Sequence, residues 1–458
     1  MINRRDFVAS TLASATFVRL GEASPATTDV ADMTLQQAAA ALRSKTLSPV
    51  ELTRACLARI EVQNPKLNAF ITVTAERALA RAHQLELELV RGQWRGPLHG
   101  IPLALKDNID TAGVRTTAAA KAFADRVPAT DAEVVRRLAE SGAIVLGKLN
   151  MDECAYGVTS DTGYFGAVQN PWRAGYTAGG SSGGPAAAVA ARLCYGAIGT
   201  DTGGSIRQPA AYCGVVGLKP SYGLVSARGV IPLSWSLDHV GPLCRTAGDA
   251  AVLLQVIAGF DPEDPASIEA PPVDFVEALA QDTRRLRIGR PRQRYFEALD
   301  PEVESAVTAA IAVLRDLTAG IQDVELPYVP RLSLMFVEAN AYFSKALEAS
   351  PDGFSASVRG LINMGGRISA ADYAGAKQRL EVSRRTVRQV FNDVDVIVTP
   401  TTPNLPDKLG AGSDAPAQRG PPLSARNTTP FNIYGLPTVS VNCGFSKSGL
   451  PIGLQISG

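Results

Sequence analysis

Three segments of the sequence combine a side chain that could do chemistry with a local pattern that would position it. The first, HGIPLALKDNID at residues 99–110, places Lys106 at the end of a short apolar run. Such a run predicts a buried strand, and α/β proteins carry functional groups at the carboxyl ends of their strands. Burial lowers the pKa of a lysine, so that the neutral amine can act as a general base. The alternative is an ordinary solvated surface lysine.

The second segment, AGGSSGGPAAAVAA, flanks Ser181 and Ser182 with two pairs of glycines. A flexible linker would not continue directly into an apolar helix. A phosphate-binding loop would need GxxxxGK[ST] or GxGxxG, and neither is present. The remaining interpretation is a tight glycine-rich turn that aims a serine.

The third segment, GTDTGGSIRQPA, places Gly203 and Gly204 immediately before Ser205. Successive unhindered N–H groups beside a serine can form an oxyanion hole, which stabilises the negative oxygen that develops during acyl transfer. Asp201 and Arg207 bracket this turn. We expect them to form a supporting ion pair and to take no part in the chemistry.

Composition narrows the chemistry further. The chain has 458 residues and only three histidines, none of them in an HExxH arrangement, so a hydrolytic mechanism needs another base. The net charge of +1 excludes the basic footprint expected of a nucleic-acid or anionic-membrane binder. The six cysteines form no CxxC pair, which excludes a zinc ribbon, a thioredoxin-type site and a disulfide scaffold.

Alternation of helices and strands predicts an α/β protein with a largely buried sheet. Two capping boxes mark the first helices, and Thr130 with Glu133 is expected to cap a later one. The region of about 262–390 has longer helices and forms a variable helical region of the domain. The predicted helices are 34–42, 48–63, 75–90, 130–140, 186–193, 302–317 and 334–349, and the predicted strands are 101–105, 143–146, 394–398 and 438–441.

The first 30 residues are interpreted as a signal and linker that precede a domain at 33–458. Arg4 and Arg5, followed by DFV, are typical of a twin-arginine export signal, which predicts a periplasmic protein. The alternative is a disordered leader on a cytoplasmic protein. No stretch has the ~20 apolar residues of a membrane span.

Together the three segments resemble the amidase signature family over nearly the whole domain. GGSSGG, TDTGGSIRQPA, CGVVGLKPSYG and SLDHVGP fit its motifs, as do QNPW and FNIYGLP and the spacing of the serines. The resemblance implies a mixed central sheet covered by helices on both faces. It also implies a Ser–Ser–Lys set, in which Ser205 is the acylated nucleophile, Ser181 is a bridging serine on a cis peptide and Lys106 is the base.

The same resemblance implies the rest of the site. Backbone N–H groups of Thr202, Gly203 and Gly204 would hold the oxyanion and the substrate. Supporting roles fall to Ser182, Asp201 and Arg207. No metal or cofactor is implied, and the partner would be a small-molecule amide, with no nucleic acid or membrane and with a homodimer left open. The expected reaction is hydrolysis of a carboxylic amide to an acid and an amine or ammonia through a serine acyl-enzyme.

Two alternatives remain. YFGAVQNPW and SIRQPAAYCGVVGLKPSYG are also similar to the glutamine-hydrolysing A subunit of the aspartyl/glutamyl-tRNA amidotransferase. The export signal weighs against that protein, and so does Ala425, which stands where the amidotransferase carries an acid that helps to bind glutamine. The other alternative is an inactive, truncated member, because the chain ends at GLPIGLQISG, earlier than family members usually do. The presence of Lys106, Ser181 and Ser205 argues against it.

Overall fold

A computed structural model describes residues 29–292, 294–329, 333–410 and 423–458. The twin-arginine motif predicted at the start of the chain lies outside these residues. Across the described ranges, no helix combines the length and the apolar character needed to cross a membrane.

The centre of the fold is a mixed sheet, to which the described residues contribute eleven strands in the order β1-β3-β2-β4-β6-β5-β10-β11-β9-β7-β8. In chain order the strands are β1 (Phe70–Val73), β2 (Pro102–Lys106), β3 (Ile144–Leu149), β4 (Gly196–Asp201), β5 (Val216–Lys219), β6 (His239–Cys244), β7 (Arg287–Pro291), β8 (Gly320–Val324), β9 (Val396–Pro400), β10 (Thr438–Phe445) and β11 (Pro451–Ser457).

Helices cover both faces of this sheet, as the resemblance implied. Within the described ranges they are α1 (Leu35–Arg43), α2 (Pro49–Leu67), α3 (Ala75–Val90), α4 (Glu133–Glu140), α5 (Gly183–Ala190), α6 (Arg207–Cys213), α7 (Ala247–Ile257), α8 (Pro301–Leu317), α9 (Leu334–Ala349), α10 (Ala356–Gly365), α11 (Ala370–Thr386) and α12 (Thr429–Tyr434).

The strand pairing explains how the site is assembled. Strand β2 lies between β3 and β4 and is parallel to both. The carboxyl ends of parallel strands meet at one edge of a sheet, so Lys106 at the end of β2 lies near the end of β4. The glycine-rich turn before α5 and the loop after β4 therefore meet over the same edge.

Apolar packing holds this arrangement. The largest cluster packs α1 to α5 and α7 against β2, β3, β4 and β6, and it buries alanine and leucine side chains completely. A second cluster packs α8 against β7, β9 and β11. Burial of this apolar surface is the main force that fixes the strands on which the polar site is built.

Most of the long predicted elements are confirmed. The capping boxes are present at the starts of α1 and α2. Helices α3 and α9 have the predicted bounds. Strand β2 continues one residue beyond the predicted end and includes Lys106. These elements have strong local signals, which explains why the sequence alone is sufficient to find them.

The predicted start of α4 is wrong. Thr130 does not cap this helix, which begins after Ala132 and has no side-chain cap bond. The Glu133 carboxylate does not reach back to close a capping box. It accepts hydrogen bonds from Arg136 and Arg137, each at 2.7 Å, because two guanidinium groups offer stronger, charge-assisted bonds than a backbone N–H.

Two other regions differ from prediction. Helix α5 begins at Gly183, three residues earlier than expected, and ends at Ala190 because Arg192 adopts a left-handed φ of 60°. The region of 262–390 is not wholly helical, since β7 and β8 lie within it and β7 pairs in parallel with β9. Both strands carry charged residues and a glycine, which weakens the apolar pattern of a strand.

Candidate active site

Lys106 ends β2 as a fully buried amine. Its Nζ donates to Ser181 Oγ at 2.7 Å and to Thr200 Oγ1 at 2.8 Å. Burial lowers the pKa of Lys106 from 10.5 to about 7, and the carboxylates of Asp152, Asp201 and Asp238 only partly oppose this effect. The amine is therefore neutral in a substantial fraction of molecules near neutral pH, as a general base must be.

Ser181 lies on the glycine-rich turn that precedes α5, and the peptide bond between Gly180 and Ser181 is cis. Position 180 must be glycine, because a Cβ there would lie 2.0 Å from the carboxylate oxygen Oδ2 of Asp152. Ser182, next in the chain, donates through its Oγ to the Thr200 carbonyl at 3.1 Å. The turn is thus attached to β4, at the same residue whose hydroxyl accepts a hydrogen bond from Lys106.

Ser205 is next to this turn and is 8% exposed. Its carbonyl accepts a hydrogen bond from the Ser182 N–H at 3.1 Å. The structure therefore brings together the three residues to which the sequence analysis assigned catalysis: Lys106 bonded to Ser181, and Ser205 attached to the residue that follows Ser181.

The backbone of 202–204 forms the loop expected to hold an oxyanion, but one of the three predicted donors has another partner. The Gly204 N–H donates to the Asp201 carboxylate at 2.7 Å. An N–H already bonded to a buried carboxylate is not open to a substrate oxygen, so the oxyanion interpretation is corrected at Gly204. Thr202 and Gly203 remain as candidates for that role, together with the Ser205 N–H itself.

Gly204 instead has a conformational role. Its φ is +132°, and a Cβ at this position would lie 2.1 Å from Thr428 Oγ1. The same hydroxyl donates to the Gly203 carbonyl at 2.7 Å. Only glycine allows α12 and its preceding turn to approach this loop so closely.

The expected ion pair between Asp201 and Arg207 is present and completely buried, with Nε to Oδ2 at 3.0 Å. Burial alone would raise the pKa of Asp201, but the Arg207 guanidinium beside it lowers that pKa well below its usual range. Arg207 also donates to Asn432 Oδ1 at 2.6 Å and to Gln455 Oε1 at 3.1 Å. The pair thus connects the loop of residues 202–205, called the catalytic loop below, to α12 and to β11.

Two buried carboxylates beside the site, those of Asp152 and Asp238, were not identified from the sequence. Asp152 is fully buried, accepts from the Ser160 N–H at 2.8 Å, and donates through its own N–H to the Ser181 carbonyl at 3.3 Å. Burial raises the pKa of Asp152 to about 7. Asp238 accepts a hydrogen bond from Thr202 Oγ1. Their only sequence signals are the DE pair after β3 and the SLDHVGP motif.

Position 425 lies close to this loop. The Ala425 carbonyl accepts from the Thr428 N–H at 3.3 Å, and the Thr428 hydroxyl is bonded to Gly203. Ala425 is nearly buried. Residue 425 therefore lies one turn before Thr428, the residue that is bonded to this loop, and its side chain here is a methyl group.

No group of three or more histidine, cysteine or acidic side chains is arranged to bind a metal ion in the part of the chain that the structure describes. A buried lysine bonded to a serine on a glycine-rich turn, with a second serine beside it, is typical of serine hydrolases that use lysine where others use histidine.

Comparison with known proteins identifies the family. The amidase family model matches residues 51–458, so the chain belongs to the amidase family. A similar relative is the A subunit of the glutamyl-tRNA(Gln) amidotransferase of Roseiflexus sp. (strain RS-1), which is 42% identical over 93% of this chain and 92% of its own length.

Two solved structures show the same fold. A crystal structure of an amidase has a TM-score of 0.81 at 35% identity and covers 93% of this chain and 95% of its own. The A subunit of the glutamyl-tRNA(Gln) amidotransferase of Thermotoga maritima has a TM-score of 0.74 at 32% identity, covering 93% of this chain and 91% of its own. The backbone is thus similar to both kinds of protein.

Proposed function

We propose that this protein hydrolyses a carboxylic amide through an acyl-enzyme on Ser205. The observation that carries the proposal is the 2.7 Å hydrogen bond between Lys106 Nζ and Ser181 Oγ in a fully buried site. Burial that lowers the pKa of Lys106 to about 7 supplies a base of suitable strength without a histidine.

The proposed reaction begins with proton transfer. Neutral Lys106 accepts a proton from Ser181, which accepts one from Ser205 as the Ser205 oxygen attacks the amide carbonyl. The carbonyl oxygen becomes negative and is stabilised by the backbone N–H groups of Thr202, Gly203 and Ser205. Loss of one such donor typically costs about 3 kcal/mol of transition-state stabilisation.

The second half of the cycle reverses the relay. The proton returns through Ser181 to the leaving nitrogen, the C–N bond breaks, and the acid portion of the substrate stays on Ser205 as an ester. Water then attacks the ester, with Lys106 again accepting a proton through Ser181. The products are a carboxylic acid and an amine or ammonia, and Lys106, Ser181 and Ser205 are regenerated.

An apolar cluster beside the site supports a substrate with an apolar or aryl acyl group. Two of its segments are bonded directly to residues that adjoin the catalytic groups: Ala118 N–H to the Asp107 carbonyl at 3.0 Å, and Ile231 N–H to the Asn108 carbonyl at 2.8 Å. A third segment includes Met151 and precedes Asp152. The buried members are Ala118, Ala119, Ala120, Met151, Cys154, Ala155, Ile231, Leu233, Ala339, Phe343, Phe354, Val358 and Ile362.

The glutamine-hydrolysing A subunit of a tRNA-dependent amidotransferase is the second candidate function. Similarity to relatives of that name over almost their whole length favours it. The methyl group of Ala425, close to the catalytic loop, supplies no charge to bind the α-amino group of glutamine. This residue favours a simple amidase over the amidotransferase.

A labelling experiment tests the chemistry that both candidates share. The purified chain would be treated with a fluorophosphonate and digested, and the adduct located by mass spectrometry. We expect the adduct on Ser205. An adduct on Ser181 or Ser182 would reverse the assignment of nucleophile and bridging serine.

A substrate panel separates the two candidates. Initial rates would be compared for aryl amides, aliphatic amides and L-glutamine, with Ser205→Ala as the blank. We expect the highest kcat/KM for an apolar amide. If glutamine is the only substrate of the panel that is hydrolysed, and the other subunits of an amidotransferase increase that rate, the amidotransferase function is supported instead.

The location of the protein would separate the two candidate functions by an independent measurement. We propose export by the twin-arginine route, which carries folded proteins to the periplasm. Changing Arg4 and Arg5 together to lysine should retain the precursor in the cytoplasm, measured by cell fractionation and N-terminal sequencing. A full-length wild-type chain found only in the cytoplasm would contradict export and favour the amidotransferase function.

A further inference from the structure

The loop of residues 231–238 connects the helical region to the catalytic loop. Glu338, on α9, is completely buried, and its carboxylate accepts hydrogen bonds from Ser234 Oγ at 2.5 Å and from the Ser236 N–H at 3.1 Å. Ser236 Oγ and the Tyr373 hydroxyl of α11 also donate to it. Among the described residues, no lysine or arginine forms an ion pair with Glu338, and Lys377 reaches it only through Ser236 Oγ, to which its Nζ donates at 3.1 Å.

The far end of the 231–238 loop is folded around Asp238. One oxygen of its carboxylate accepts from the N–H groups of Leu233 and Ser234, both at 2.9 Å. The other oxygen accepts from Thr202 Oγ1. Ser234 therefore links the two carboxylates, because its hydroxyl donates to Glu338 and its N–H donates to Asp238.

The near end of the loop is attached on the side of the base. The Ile231 N–H donates to the Asn108 carbonyl at 2.8 Å. Asn108 Nδ2 in turn donates to Thr200 Oγ1 at 3.2 Å, and the same oxygen accepts from Lys106 Nζ at 2.8 Å. The 231–238 loop thus runs from the surroundings of Lys106 to Thr202.

We propose that Glu338 is a positioning residue, which acts through the 231–238 loop and Asp238 to fix Thr202 and the backbone N–H groups that follow it. The inference rests on the proposed function, because it assigns Glu338 a part in holding the oxyanion loop. Its consequence is that Glu338 of α9 and its partner Tyr373 of α11 influence the rate of the reaction without touching the substrate.

Hydrogen-bonding chemistry explains why a carboxylate is needed here. Three of the four groups bonded to Glu338 are hydroxyls, which can donate or accept, and the fourth, the Ser236 N–H, can only donate. Glutamine has nearly the same shape and can keep Oε1 toward the Ser236 N–H, but its neutral amide forms weaker hydrogen bonds than a carboxylate does. Glu338→Gln should therefore loosen the loop while leaving the packing of α9 almost unchanged.

A double-mutant cycle tests whether the influence passes through Thr202. Because hydrogen bonds to a charged group are at stake, we expect Glu338→Gln to lower kcat about tenfold with little change in KM. Thr202→Val removes the hydroxyl that bonds Asp238 and should lower kcat at least as much. If Glu338 acts through Thr202, the double variant loses no more than Thr202→Val alone. Independent losses that multiply would overturn the proposal.

Asp249→Asn is the matched control. Asp249 is a fully buried carboxylate on α7, where it accepts a hydrogen bond from the Gln36 N–H at 3.1 Å. This variant should lower the thermal stability without lowering kcat. If Asp249→Asn instead lowers kcat as much as Glu338→Gln does at an equal loss of melting temperature, stability alone explains the effect, and the positioning role is overturned.

Hydrogen exchange provides a readout that needs no substrate. Glu338→Gln should speed exchange of the backbone amides in both 231–238 and 202–205, whereas Asp249→Asn should affect neither segment. Unchanged protection at 202–205 would overturn the inference. Failure of the proposed function is recognised separately, by wild-type turnover that survives Ser205→Ala, and the exchange experiment still decides the inference in that case.

Discussion

Two buried lysines on neighbouring strands of the sheet have different surroundings. Lys106 on β2 and Lys148 on β3 are both completely buried, and their strands run parallel. Lys148 Nζ lies 3.7 Å from the Asp107 carboxylate and donates to Thr116 Oγ1 at 2.7 Å. Among the described residues, no carboxylate lies within ion-pair distance of Lys106, whose side-chain partners are two hydroxyl groups.

Burial is the largest influence on both amines, and it lowers the pKa of Lys106 to about 7 and that of Lys148 to about 8. The charge of Asp107 opposes the effect of burial at Lys148. The two lysines therefore differ in their partners, a carboxylate for Lys148 and two hydroxyls for Lys106. The absence of a carboxylate does not by itself make a lysine catalytic, because Lys219 is equally buried and donates only to the Pro220 and Leu436 carbonyls. Lys148 links β3 to the loop after β2, while Lys106 is left free to exchange a proton with Ser181.

The largest decrease in turnover is expected from loss of the nucleophile. The residual turnover of that variant is the baseline against which the two lysine variants are compared. Ser205→Ala should reduce amide turnover by at least about 10⁴-fold, because removal of the hydroxyl leaves only binding and oxyanion stabilisation. Circular dichroism and the melting temperature should stay close to wild type. Turnover near the wild-type rate would mean that another group is acylated.

Lys106→Ala should lower the catalytic rate, whereas Lys148→Met should lower the stability of the fold. Loss of the base should lower kcat by about 10²- to 10⁴-fold. Lys148→Met should instead lower the free energy of unfolding by about 3–5 kcal/mol, because it leaves the buried Asp107 carboxylate without its partner. Steady-state kinetics and denaturant unfolding of both variants measure the difference.

The control for Lys148 is the double variant Lys148→Met with Asp107→Asn. It removes both charges and should recover much of the lost stability. If Lys148→Met abolishes turnover while the protein stays folded, the distinction between a structural and a catalytic lysine is wrong.

The residues of this comparison differ in how well the sequence reveals them. Lys106 follows an apolar run, and Ser181 and Ser205 stand in glycine-rich motifs, so each has a local pattern that points to a functional side chain. Asp152 is one of 44 acidic residues and has no local signature. Its importance arises from its approach to Gly180, which only the folded chain brings about.

Long-range contacts account for the other omissions. Thr428 bonds to Gly203 across a separation of 225 residues, and no periodicity in a single sequence encodes such a pair. Of the eleven strands in the described residues, the sequence predicted β2, β3, β9 and β10, and β1, β4, β5, β6, β7, β8 and β11 were missed. In β5, β7 and β8, glycine and charged residues interrupt the apolar pattern. Their pairing with neighbouring strands holds them in the sheet, so tertiary context decides their structure.

The pH dependence of activity should follow Lys106 and not Lys148. The base must be neutral, so kcat/KM should rise with pH through the pKa of Lys106, about 7, and fall as the amine becomes protonated below it. Lys148→Met, if sufficiently stable, should keep this rising limb at the same pH. If the rising limb instead shifts on replacement of Lys148 and not of Lys106, the base is on β3 and our assignment is wrong.

The smallest expected effect distinguishes Lys106 from the buried acid near it, because burial raises the pKa of Asp152 to about 7 as well. The negative charge of Asp152 favours protonated Lys106. Asp152→Asn removes that charge, so the rising limb should move to lower pH, by up to about one unit. Asp107→Asn, the matched change beside Lys148, should not move it. If the limb disappears in Asp152→Asn, then Asp152 is the group that titrates, and the difference between the two lysines does not explain catalysis.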